Sequence, residues 1–291
     1  MSPDHPHLPA EFAQPAEKYA ETGRLRLHYL EWGTGPRTVV CIPGTSMSAH
    51  AWSRLATDLC ADYRVIGLNQ RGHGRSDKPA TGYSIRDYRD DLADFFRLLG
   101  LKQAALVGSS LGTQTSIAFA AAHPDAVTGL VLSDPSCTIE QPAIDGYVRS
   151  HNTRPRDFSS FDDAYRFVTA LPQRAGLESE AMQQMAAAGD FFQRTDGRWE
   201  WNYYLPGILE TFSKLKVDQW PEVRTVRAPV LILHAETSHV LSGDNARKLA
   251  ATFPKARLVD LKGSSHTIWG DRPAEMTRLT REHLATLQWS G

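Results

Sequence analysis

Short apolar runs at residues 38–42, 64–68, 104–107, 127–132, 230–233 and 257–261 show no polar–apolar alternation, and each is followed by Gly, Pro, Asp or Ser. Runs of this kind suit strands buried on both faces. Between them, residues 52–60, 85–99, 111–122, 244–253 and 274–287 mostly carry apolar side chains at three- and four-residue spacing, as amphipathic helices do. Strand alternating with helix implies an α/β fold, a mostly parallel central sheet flanked by helices. Residues 24–30 alternate polar with apolar and Gly33 to Pro36 supply a turn, so an antiparallel pair is expected to open the sheet.

The rhythm breaks between residues 138 and 222, a stretch too long for a loop and rich in Phe, Tyr and Trp. It is expected to be a mainly helical lid. The core would then comprise residues 18–137 and 223–291, and residues 1–17, with their prolines, a flexible arm. Most of the lid aromatics would hold the lid to itself and to the core. A few are expected to face a ligand, and Trp199, Tyr204, Trp269 and Gly44 are the candidates for substrate contact.

A chain of 291 residues with 41% hydrophobic and 22% charged side chains can bury a large core. Thirty-two basic against 33 acidic side chains leave a net charge of -1, which gives no field to draw nucleic acid or an anionic membrane. No segment reads as a secretory signal or a membrane span. Cys41, Cys60 and Cys137 fit no metal-ligand spacing and suit a reducing cytoplasm. A small-molecule substrate is expected, with no metal and no cofactor; oligomeric state stays open.

Gly108-Ser109-Ser110-Leu111-Gly112 has the G-x-S-x-G form, and it lies between a buried strand and a helix. A serine hydroxyl becomes a nucleophile when a base takes its proton, and a sharp strand-to-helix turn presents it to base and substrate together. In context, the chain resembles the α/β-hydrolase fold superfamily, the lidded group of esterases, lactonases, carbon–carbon bond hydrolases and amide hydrolases. The resemblance runs from about Tyr19 to the C-terminus. Residues 69–76, Asn-Gln-Arg-Gly-His-Gly-Arg-Ser, resemble the family's D-x-R-G-x-G-x-S loop, with Asn69 in place of the acid.

The resemblance implies Ser110 as nucleophile, and an oxyanion hole from the backbone N–H groups of Leu111 and of Thr45, which follows Pro43-Gly44 where the family has His-Gly. It implies His266 as base, because Gly263-Ser264-Ser265-His266 follows a late strand. The family's usual acid position, after the strand at 230–233, holds Ser238 and His239, neither a carboxylate. Asp134, at the end of an earlier strand, is the expected substitute, with Glu236 and Asp244 as alternatives. The implied reaction is hydrolysis of a small carboxylic ester or lactone, with a hydrophobic or aromatic part, through an acyl-enzyme. One alternative is a carbon–carbon or amide hydrolase of a small carboxylate-bearing metabolite, for which Arg149, Arg154, Arg156, Arg166 and Arg174 of the lid could supply binding. The other is a ligand receptor without turnover, which the displaced acid alone would favour.

Overall fold

The computed structural model describes residues 8–171, 177, 179–216 and 218–289. In chain order its strands are β1 (Ala16–Glu21), β2 (Arg26–Trp32), β3 (Arg37–Ile42), β4 (Tyr63–Leu68), β5 (Ala104–Ser109), β6 (Val127–Ser133), β7 (Asp157–Phe158), β8 (Phe191–Gln193), β9 (Trp199–Trp201), β10 (Val230–Ala235) and β11 (Ala256–Leu261). Eight of them form one sheet in the order β1-β2-β4-β3-β5-β6-β10-β11. β1 and β2 pair antiparallel, as do β2 and β4, and from β4 to β11 every neighbour is parallel. Strands β5, β6 and β10 are buried along their whole length, which is why their sequences lack alternation.

Two apolar clusters, one on each face of this sheet, make the core. On one side Trp52, Leu55 and Leu59 meet Met276, Leu279 and Leu284; on the other, Leu92, Phe95 and Phe96 meet Ile117 and Phe119. Strand order reverses between β3 and β5, and the loops leaving β3, β5, β6, β10 and β11 at their carboxyl ends therefore open over one crevice. Ligands of open α/β sheets bind at such a reversal.

Between β6 and β10 the chain builds its own layer. Helices Gln141–Asn152, Phe161–Thr169, Glu180–Asp190 and Leu205–Lys214 accompany a small sheet ordered β7-β9-β8. Ser160 and Ser179 accept backbone N–H groups at two helix starts, the capping that short polar side chains provide. Phe158, Phe191, Trp201, Ile208 and Phe212 fill a third apolar cluster under this layer. The expected lid boundary at residue 222 falls inside the helix Trp220–Thr225, whose Val223 packs into the core with Leu249 and Phe253. The expected flexible arm is also shorter than 17 residues: β1 begins at Ala16, Leu8 and Phe12 are buried in the core, and Ala13 donates its N–H to Thr57. Two apolar side chains among the prolines make this docking possible. Among the described residues no helix is long and apolar enough to cross a membrane.

Candidate active site

β5 ends at Ser109, and Ser110 alone separates it from the helix Leu111–Ala122. Ser110 has φ 50° and ψ -118°, backbone angles that an L-residue takes only when its surroundings force it. The flanking glycines make the turn possible by close packing. A Cβ on Gly112 would fall 2.0 Å from the carbonyl oxygen of Ile42, and one on Gly108 would fall 2.6 Å from the carbonyl oxygen of Gly112. Ser110 thereby faces a cavity of about 410 Å³ between the sheet and the helical layer.

His266 lines the same cavity, and its Nδ1–H donates to Asp134 Oδ2 at 2.6 Å. That bond leaves Nε2 as the nitrogen free to take a proton. Asp134 follows the end of β6, and its side chain is 0% exposed. Its Oδ1 accepts the Ala235 N–H at 3.1 Å, and its Oδ2 accepts the Ser238 hydroxyl at 2.6 Å. Ser238, standing where an acid was expected, thus serves the acid on the neighbouring strand. Glu236 instead accepts the Gly263 N–H, and Asp244 pairs with Arg247 on the surface. On the other side of the imidazole, Ser265 donates its N–H and its hydroxyl to Asp271, each at 2.7 Å, which fixes the loop before His266.

Thr45 and Leu111, the candidate oxyanion donors, both line the cavity, as do Gly44 and Trp269. The loop bearing Thr45 lies against Ser110: a Cβ on Gly44 would stand 3.1 Å from Ser110 Cβ. Pro43 lacks a polar side chain, but its carbonyl accepts the Gln70 amide at 3.2 Å, and Thr115 donates to Gln70 in turn. Asn69, in place of the expected acid, accepts the Ala49 N–H at 2.8 Å and donates to His28 Nδ1 at 2.6 Å. His28 is buried.

Two of the candidates for substrate contact lie elsewhere. Trp199 packs on Phe161 with ring centroids 5.0 Å apart, and Tyr204 on Tyr83 at 6.2 Å; neither lines the cavity. Trp201, one turn of the pleat further along β9, lines it instead. Among the lid arginines, Arg154 is buried in the cavity wall, whereas Arg149, Arg156 and Arg166 are exposed and Arg174 lies outside the described residues. His239 also lines the cavity, with its ring 5.3 Å from that of His266, and burial followed by the nearby His266 lowers its pKa. His151 was not singled out by sequence. Its signal was its spacing from Ile144 and Tyr147, which puts it on the inner face of the helix Gln141–Asn152.

A family model described as the alpha/beta hydrolase fold matches residues 37–273. The chain is 30% identical to 2-(acetamidomethylene)succinate hydrolase of Mesorhizobium japonicum over 248 residues, 85% of this chain and 87% of that protein. It is 24% identical to a 3-hydroxybutyrate-oligomer hydrolase of Cupriavidus necator over 269 residues, 87% of this chain and 91% of that one. A solved structure of E-2-(acetamidomethylene)succinate hydrolase superposes with a TM-score of 0.87 at 27% identity, covering 94% of this chain and all of the other.

Proposed function

The chain belongs to the alpha/beta hydrolase fold family and is a hydrolase, and from that premise we propose that it cleaves small acyl compounds, esters or lactones first among them, through a covalent Ser110 acyl-enzyme. The observation that carries the reading is the 2.6 Å bond from His266 to a fully buried Asp134 beside a strained Ser110 at one cavity. His266 Nε2 takes the Ser110 proton as Oγ attacks the acyl carbon. The carbonyl oxygen becomes an oxyanion held by the Thr45 and Leu111 N–H groups, and Leu111 opens a helix whose first N–H groups have no acceptor within it. The proton then passes from His266 to the leaving group, whose bond to carbon breaks. Water, deprotonated by the same imidazole, attacks the acyl-enzyme and restores Ser110. Asp134 keeps Nδ1 protonated and stabilises the imidazolium in both halves. The three free cysteines, Cys41 and Cys137 buried, support a reducing, cytoplasmic setting.

Hydrolysis of p-nitrophenyl acetate tests this. Ser110→Ala should lower kcat by about a millionfold and Asp134→Asn by about ten-thousandfold, as in serine proteases. A Ser110→Ala protein that kept the wild-type rate would place the chemistry elsewhere.

One feature favours a carboxylate-bearing substrate. Arg154 is 8% exposed, its Nη1 donates to the Tyr203 hydroxyl at 3.3 Å, and its guanidinium lies over the Trp201 ring at 5.2 Å. Its Nε has no partner, and among the described residues no carboxylate lies within 4.0 Å of it. Asp190 lines the same cavity. A buried guanidinium without a counter-charge is costly, and a substrate carboxylate would offset that cost. The name of the 30% identical relative, a succinate derivative bearing an acetamido group, points the same way. Arg154→Met should lower kcat/KM by about tenfold to a hundredfold on an N-acyl substrate that carries a carboxylate, a charge-assisted bond's contribution, and leave p-nitrophenyl acetate within about twofold. Equal losses on both substrates would remove the carboxylate from the reading.

A further inference from the structure

The residue after Thr45 is held from two sides. Ser46 donates its backbone N–H to His73 Nε2 at 3.0 Å and its hydroxyl to His151 Nε2 at 3.1 Å. Each ring can accept at Nε2 because its Nδ1–H is already donating, His73 to the Arg71 carbonyl at 2.8 Å and His151 to the Tyr147 carbonyl at 2.9 Å. His73, which accepts a backbone N–H at Nε2, is therefore neutral and fixed in one tautomer, and His151 can receive the Ser46 hydroxyl in the same neutral form. Burial supports that state, lowering the pKa of His73 to about 4 and that of His151 to about 3, where Arg154 adds to the effect. Ser46 sits at φ 59°, in the left-handed region that a serine occupies under constraint.

The two histidines belong to different layers. His73 lies in the core loop after β4, and His151 near the end of the lid helix Gln141–Asn152. The lid touches this same region twice more. Tyr204 donates its N–H to the Gly72 carbonyl at 2.7 Å, and Gly189 approaches so closely that a Cβ there would fall 1.8 Å from Ser48 Oγ.

We propose that His73 and His151 are positioning residues for the oxyanion hole: by clamping both polar groups of Ser46 they set the direction of the Thr45 N–H, and His151 makes that setting depend on a seated lid. The clamp rests on the acyl-transfer reading above. Both nitrogens of each ring are engaged within this arrangement, so the two imidazoles serve to hold Ser46 in place. Loss of an oxyanion donor costs about a hundredfold or more in kcat, and a donor that is misdirected rather than lost should cost about tenfold.

The test uses Ser46→Ala, His151→Phe, the double variant and His151→Gln, with p-nitrophenyl acetate as substrate and a trifluoromethyl ketone as transition-state mimic. The clamp predicts about a tenfold fall in kcat for Ser46→Ala and for His151→Phe, with KM within about twofold. The ketone should weaken by the same factor, because it too forms an oxyanion. The double variant should be no worse than either single one, and His151→Gln, which keeps an acceptor, should recover most of the loss. His73→Gln should likewise retain more kcat than His73→Leu. A rise in KM at constant kcat, multiplied losses in the double variant, or an unchanged ketone affinity would overturn the proposal. If the wild type neither turns over esters nor binds the ketone, the acyl-transfer reading fails. The clamp is then decided by unfolding midpoints, where non-additive shifts for Ser46→Ala and His151→Phe support it and additive shifts refute it.

Discussion

Asp134 shows how one side chain can be legible in position and illegible in its partners. An acid at the exit of a strand ahead of Pro135, opposite a late histidine, could be read from the chain. The donors that hold it, Ala235 N–H and the Ser238 hydroxyl, stand 101 and 104 positions away and meet it only because β10 pairs with β6. The histidines divide in the same way. His266 has a local context, whereas His73 and His151 acquire their roles from burial and from Ser46. Those two rings also give the molecule a pH dependence. Both folded values lie below the ordinary 6.5, so below about pH 6.5 the unfolded chain binds protons that the folded one refuses. Their contribution to stability is whole above that pH and lost as pH falls toward 4 and 3. Urea unfolding at pH 7 and at pH 5 should show stability falling with acid. The fall should be smaller in a His151→Phe protein, and an equal fall would assign it to other groups.

At the scale of the element, the turn from β5 into its helix is the part most fully written in sequence, because its geometry admits so few residues. Gly112 has no room for a side chain beside the Ile42 carbonyl, 2.0 Å from where a Cβ would stand. Gly112→Ala should therefore push the helix from β3, lower the unfolding midpoint by several degrees and reduce ester hydrolysis with it. A variant with both unchanged would show that the turn can relax. The lid is the opposite case. Its length and aromatic richness announced a layer, but nothing local told which aromatic would point inward. Trp199 and Trp201 share a face of β9, and Phe161 draws the first away from the cavity while the second reaches it. The N-terminal segment follows the same logic: its proline content hides Leu8 and Phe12, whose burial needs a groove supplied by the core.

For the whole molecule, alternation of buried strands with amphipathic helices was enough to imply the parallel sheet, while the order β4-β3-β5 that places the crevice came only with the fold. That order brings the ends of β3, β5, β6 and β11 together, and with them Thr45, Ser110, Asp134 and His266, from four distant parts of the chain. The sheet thus supplies a rigid frame, and the lid covers it with a cavity whose wall holds Arg154, bonded to Tyr203, and His151, bonded to Tyr147 and Ser46. We propose that this frame activates Ser110. Treating the folded protein with a fluorophosphonate and locating the modified residue by mass spectrometry tests it most directly. A single phosphonylated serine, Ser110, is expected, with labelling lost in His266→Ala. A folded protein left unlabelled, or labelled equally without His266, would contradict it.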